Sequence, residues 1–311
     1  MTLESNSSVF IQDILFAALT ACERAAHVIR SVAESHDYQT VDKAEATAVH
    51  ADFQTAADRG AEALIVGVFQ SLFPSVKLVG EEGTDSAECP GDMEAVRRRM
   101  AEYQSNVPFV VSERIPADTL TVYIDPLDGT REFVAGNFKC VSTMIGVTCN
   151  ARAIAGVIYR PFFNEAIFGC EGLGVFMFSN GTVSPLATFN GINIPPTLRA
   201  VTSSSRSSPQ FEKRMKQLGD NVDCQYAGGA GWKMWLLLTR MVDVYYYPKG
   251  GMGFWDLCAG DALIRLAGGM LTEPDGKAIE YVSTENKVKS GVVASVFNEA
   301  PHQELCARGA A

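Results

Sequence analysis

"TVYIDPLDGT", Thr121–Thr130, runs four apolar or β-branched residues straight into two aspartates three apart, with Pro126 between them and Gly129 beyond. Read locally, this is a strand ending in a turn: proline sets φ, glycine permits positive φ, and aspartate favours turns. Read chemically, it is a problem. A strand buries its C-terminal end, and two like charges there are costly unless a cation neutralises them. A hard divalent ion is the natural partner, taking carboxylates together with a backbone carbonyl.

Working outward, "VGEEGTD" brings a second strand to acid at Glu81 and Glu82. Alone it reads as an exposed acidic turn. Two strand-end carboxylate clusters in one chain instead point to a shared metal site. "FWDLCAGDALIRLAGG" opens an amphipathic helix with Asp256. That residue is either a first-turn aspartate of the ordinary kind or a third ligand from the second half of the chain. "YAGGAGWKMW" is glycine-rich and also opens a helix, so its backbone N–H groups could cradle an anion, with Lys233 as a point charge. "TSSSRSS", Thr202–Ser208, is a solvated loop or a hydroxyl-and-arginine phosphate clamp. No P-loop, H-E-x-x-H or G-x-S-x-G pattern occurs, and the four histidines stand in no ligand spacing.

The remaining pattern supplies a frame. Apolar residues at helical spacing predict helices over 8–35 and 54–72, the second stopped before Pro74. Residues 85–118 read as a polar excursion with one helix. From 120 to 180 the texture is an antiparallel meander of strands with Gly and Asn turns. After it come a strand at "RAVTSSS", helices at "SPQFEKRMKQLG" and "GWKMWLLLTRMV", a strand at "VDVYYYP", the Asp256 helix and a final strand at "SGVVASV". Residues 1–190 therefore read as an α+β half and 191–311 as an alternating α/β half.

The 311 residues suit one large domain or two closely packed ones, and a net charge of −10 argues against a nucleic-acid polymer or an acidic membrane surface as partner. No apolar run reaches the roughly 18 residues a membrane span needs. The first residues lack a basic n-region, and the eight scattered cysteines read as buried free thiols of a reducing compartment, so a cytoplasmic setting is expected.

Taken together and in order, "DFQTAADRGAE", "VGEEG", "YIDPLDGT" and "WDLCAGDALIRLAGG" resemble the lithium-sensitive, magnesium-dependent phosphatases of the inositol monophosphatase superfamily, over about residues 10–300. Within it, "DPLDGTREFVAGN", "AIAGVIYRPFFNEA", "GGAGWK" and the long excursion after "GEEG" make the chain most similar to the 3′(2′),5′-bisphosphate nucleotidases.

The resemblance implies a layered α-β-α-β-α sandwich with the site between its halves. It implies two or three Mg²⁺ ions held by Glu81, Asp125, the Leu127 carbonyl, Asp128 and Asp256. Asp52 and Thr130 match the pair that orients and deprotonates the attacking water. Gly129, Thr130, Ser203, Arg206, Gly229 and Lys233 fall where the nucleotidases hold substrate, with Arg206 standing where the family pattern usually has histidine. The implied reaction is magnesium-dependent removal of the 3′-phosphate of 3′-phosphoadenosine 5′-phosphate, giving AMP and phosphate. An inositol polyphosphate 1-phosphatase would share the same metal site. Inhibition by Li⁺, a small phosphorylated substrate as sole partner, and a monomeric state complete the expectation.

Overall fold

The computed structural model describes residues 8–43, 53–84, 86–87, 91–203, 215, 218–219, 221–282 and 286–310. The chain begins with β1 (Ser8–Phe10), α1 (Ile11–Ser35), the short strands β2 (Val41–Asp42) and β3 (Phe53–Gln54), then α2 (Ala56–Leu72) and β4 (Lys77–Gly80). The excursion contains α3 (Met93–Ser105) and β5 (Arg114–Pro116). It leads into β6 (Leu120–Asp128), α4 (Thr130–Val134), β7 (Ser142–Cys149), β8 (Arg152–Arg160), β9 (Glu165–Cys170), β10 (Gly174–Ser179) and β11 (Thr182–Pro185). The last part holds β12 (Leu198–Ser203), β13 (Val222–Ala227), α5 (Ala230–Leu238), β14 (Val244–Tyr247), α6 (Phe254–Leu266), β15 (Met270–Thr272), β16 (Val292–Ser295) and α7 (Glu299–Ala310).

Two sheets carry the architecture. One has seven strands in the order β11-β10-β9-β8-β7-β6-β4, antiparallel except for the parallel β4–β6 pair. The other has five, in the order β13-β12-β14-β16-β15, with β12 parallel to both its neighbours. Helices α1 and α2 cover one face of the larger sheet; α6 lies on the other, against β7 and β8, with α5 beside it. These two helices separate the sheets, while α7 closes the far side of the smaller one, where His302, Leu305 and Cys306 are buried. The result is an α-β-α-β-α sandwich, as expected.

The helices follow from their apolar stripes. In α1 the stripe Ile11, Ile14, Leu15, Ala18, Leu19, Cys22, Ala26 and Ile29 is fully buried, as amphipathic periodicity requires. The central strands of the larger sheet are covered on both faces, so β7 and β8 read as nearly continuous buried runs with little polar alternation. Among the elements not expected from the sequence are the strands β13 and β15 of the smaller sheet, the short strands β1, β2, β3, β5 and β11, and the helices α4 and α7. The "SPQFEKRMKQLG" helix falls mostly outside the described residues. Among the described residues the seven cysteines are unpaired, and no helix is long and apolar enough to cross a membrane.

Candidate metal and phosphate site

The end of β6 decides the site. In a regular strand, residues three apart point to opposite faces. Here Asp125 pairs with Met144 of β7 and Asp128 with Ser142, so three steps on one strand meet two on the other. This one-residue bulge spans Pro126, which has no N–H to give the ladder, and it returns both aspartates to the same face. Gly129 follows with φ 86°, and a Cβ there would stand 2.8 Å from the Cys140 carbonyl oxygen. Only glycine fits, and it turns the chain sharply into α4 at Thr130.

Asp128 is held from across the molecule. Its Oδ1 accepts the Ala230 N–H at 2.7 Å; its Oδ2 accepts the Gly231 N–H and the Ser142 hydroxyl, each at 2.8 Å. The glycine-rich start of α5 does cradle an anion with its backbone, and that anion is the protein's own carboxylate, stabilised by the helix N-terminus. Lys233, one turn along, is buried; its ammonium donates to the Gly229 carbonyl, and its charge acts on Asp128 and Asp256. Asp256 sits in the first turn of α6, where its Oδ2 accepts the Gly253 N–H at 2.7 Å. Ligand oxygens of Asp125, Asp128 and Asp256 lie within 4.8 Å of one another. One strand end and two helix starts thus converge.

Glu81, the residue after β4, lies outside that 4.8 Å cluster but close enough for its charge to act on Asp125 and Asp256. Its N–H donates to the Ile124 carbonyl at 3.0 Å, continuing the pairing with β6, and Lys43 lies 3.7 Å from its carboxylate. The electrostatics are those of a crowd of like charges. Burial, then Glu81, Asp128 and Asp256, drives Asp125 well above the usual carboxylate range. Burial and Asp256 do the same to Glu81. Asp256 is pushed up to about 7, by burial and then by Asp128. Burial and mutual repulsion raise the affinity of such a set for protons, and a multivalent cation relieves the same repulsion. All-oxygen hard donors around one point suit Mg²⁺. Leu127 adds a carbonyl at the bulge, already taking the Thr130 hydroxyl at 3.1 Å with one of its lone pairs.

Thr130 Oγ1 also lies 2.9 Å from Asp58 Oδ1, and Asp58 is fully buried. Asp52, expected to hold Thr130, lies outside the described residues, and so does Arg206. The carboxylate the hydroxyl meets is Asp58, which sits at the third position of α2. There its Oδ2 takes the Thr55 backbone N–H at 2.7 Å and the Thr55 hydroxyl. The sequence held a signal for it: "TAAD" is a capping box, and Asp58 and Glu62 are acids placed on the buried stripe of an otherwise apolar helix face. Ser203 ends β12 opposite Ala227, two residues before Gly229, so the strand end and the α5 start are adjacent.

Residues 11–309 match the model of the inositol monophosphatase family. The chain belongs to that family, and it is a phosphatase. It is 27% identical to the 3′(2′),5′-bisphosphate nucleotidase 1 of Dictyostelium discoideum, over 95% of this chain and 96% of that protein. It is 28% identical to the human protein of the same name, over 94% of each. Among solved structures, the extragenic suppressor protein suhB of Bartonella henselae superposes with a TM-score of 0.69 at 20% identity, covering 95% of this chain and 98% of that one. CysQ of Bacteroides thetaiotaomicron gives 0.66 at 23% identity, covering 92% and 98%. At these identities the two structures speak for the fold alone.

Proposed function

We propose that the chain is a magnesium-dependent phosphomonoesterase that removes the 3′-phosphate of 3′-phosphoadenosine 5′-phosphate, releasing AMP and inorganic phosphate. The observation that carries the phosphatase chemistry is the convergence of Asp125, Asp128 and Asp256 beside a threonine whose hydroxyl is held by a buried carboxylate. The relatives named as bisphosphate nucleotidases support the choice of substrate.

Glu81, Asp125, Asp128, Asp256 and the Leu127 carbonyl would hold Mg²⁺, which supplies Lewis acidity at the phosphoryl oxygens and at the leaving oxygen. The chain's own residues do the rest. The Thr130 hydroxyl has one hydrogen, directed to Asp58 and Leu127. One of its two lone pairs accepts a hydrogen from the attacking water and so orients that water. As the water attacks, its proton passes to Thr130 Oγ1 while the threonine proton passes to Asp58. Burial raises the affinity of Asp58 for a proton, which suits a general base. The N-terminus of α6, which carries Asp256, offers a favourable dipole to phosphate.

The test is phosphate release by the purified chain with saturating Mg²⁺, comparing 3′-phosphoadenosine 5′-phosphate with inositol 1,4-bisphosphate, each with and without Li⁺. Preferential, lithium-sensitive turnover of the nucleotide is expected. Preference for the inositol bisphosphate would assign the site to an inositol polyphosphate phosphatase and overturn the substrate.

A further inference from the structure

Glu62 is fully buried, one turn beyond Asp58 on the same face of α2. Neither residue type nor burial makes it a ligand, and its oxygens point elsewhere. Oε2 accepts the Glu82 N–H at 2.9 Å and Oε1 the Thr84 N–H at 2.8 Å. The carboxylate therefore spans the turn that follows β4. The close fit extends to Gly80, where a Cβ would stand 2.5 Å from the Glu62 carboxyl carbon and 2.5 and 2.6 Å from its two oxygens. Glycine at position 80 is what lets the carboxylate reach the turn.

Glu81 lies between these anchors. Its own N–H is fixed on Ile124 of β6, and the next N–H is fixed on Glu62. We propose that Glu62 is a positioning residue for the metal site. It locks the turn in the one shape that turns the Glu81 side chain toward Asp125 and Asp256, without touching the cation itself. Through α2 the same rigid helix sets the water-orienting Asp58 and, four residues on, the register of a metal ligand. Charge-assisted N–H bonds are about twice as strong as neutral ones, so a carboxylate is suited to the task where an amide is not. A glutamine keeps one acceptor but turns an NH₂ group toward a backbone N–H, and the turn must then give way.

This inference rests on reading Glu81 as a metal ligand, so the experiment separates the two. Mg²⁺ binding to the full chain is measured by isothermal titration calorimetry for wild type, Glu62→Gln and Glu81→Gln. Groups that orient metal ligands typically contribute 10- to 100-fold in metal affinity. Glu62→Gln is expected to weaken Mg²⁺ by about that factor. It is also expected to raise the Mg²⁺ concentration needed for half-maximal turnover, while kcat at saturating Mg²⁺ stays close to wild type. A merely structural role would lower kcat or the folded fraction and leave the affinity of the folded protein alone.

If Glu81→Gln weakens Mg²⁺ and Glu62→Gln does not, the positioning role is overturned and the metal site stands. If neither does, the metal-site reading falls with it. Amide hydrogen exchange on the wild-type chain, free of Mg²⁺, guards against a variant that fails to fold. Glu82 and Thr84 are expected to be protected, because Glu62 and not the cation holds them. Unprotected exchange at both would overturn the proposal.

Discussion

Replacing Asp256 by asparagine should make the metal-free protein more stable and the magnesium-loaded protein less so. Asparagine keeps the size of the side chain and an oxygen for the Gly253 N–H, and removes one charge from the carboxylate group. In the native chain Asp256 titrates at about 7, against an ordinary value of 3.8. Between those two pH values the folded state binds the proton that the unfolded state has lost. Stability therefore falls as pH rises from 3.8 to about 7, and the full penalty is present above it. At 1.36 kcal/mol for each pH unit the interval corresponds to roughly 4 kcal/mol. Because the side chain is partly exposed, solvent screening lowers the expected figure to about 2 kcal/mol. The assay is urea denaturation of wild type and Asp256→Asn at pH 5 and pH 8, in EDTA and in excess Mg²⁺. In EDTA the variant's advantage at pH 5 should be well under half of that at pH 8, where it is near its full value. In Mg²⁺ the order should invert, because only wild type gains the binding free energy of a ligand that selects the native state. A variant that gains nothing at pH 8 in EDTA, or that Mg²⁺ stabilises as much as wild type, would refute the reasoning.

Thr130→Ala should lower kcat by about 10²- to 10⁴-fold, the usual contribution of a positioned proton acceptor, with Mg²⁺ affinity by calorimetry little changed. Thr130→Ser, which restores the hydroxyl, should recover most of the loss; equal loss in both would exclude the relay. His302 gives an acid-side prediction of the opposite sign. Burial lowers it from 6.5 to about 4. The Thr272 hydroxyl donates to the Glu273 carbonyl at 2.8 Å, so it accepts from His302 Nε2–H and leaves Nδ1 to take the Ser295 hydroxyl. That neutral ring contributes stability above pH 6.5 that is lost as pH falls towards 4, up to about 3 kcal/mol. Urea midpoints of wild type should therefore fall more steeply over that window than those of His302→Asn; parallel slopes would count against it.

What the sequence made legible is what short-range pattern determines. The long helices, the meander and the strand that ends in two aspartates follow from periodicity and turn chemistry within windows of ten or twenty residues. The strand β13 was missed although "VDCQYA" alternates apolar and polar residues as a half-buried strand does; its pairing is parallel with β12, a neighbour in space supplied by a crossover. Glu62 and Asp58 went unread in the sequence, although both are acids on the buried stripe of α2. Their partners, at Glu82, Thr84 and Thr130, lie 20 to 72 residues away and could not be paired from spacing. Lys233 was read as a charge offered to a ligand; in the fold it is buried beside Asp128.

The glycine-rich segment shows why such partners escape local reading. Its composition announces a backbone that can receive an anion, and nothing in the window says whose. Asp128 arrives from 102 residues away; its Oδ2 takes Gly231 and Ser142, and its Oδ1 takes Ala230 alone and keeps a lone pair for a cation. The bulge at Pro126 is what frees it to do so. At the same three-residue spacing in an unbulged strand, Asp128 would face away from Asp125, and the α5 start would have no charge to cap. The three-residue spacing that looked like a repulsive pair is therefore one that a single bulge folds onto one face of the sheet while leaving the Leu127 carbonyl between the two carboxylates in the chain. Burial first, and then the repulsion that remains, raises the affinities of Asp125 and Asp256 for protons, and both favour taking up a divalent cation. A site whose carboxylates were each satisfied within the protein would bind that cation weakly.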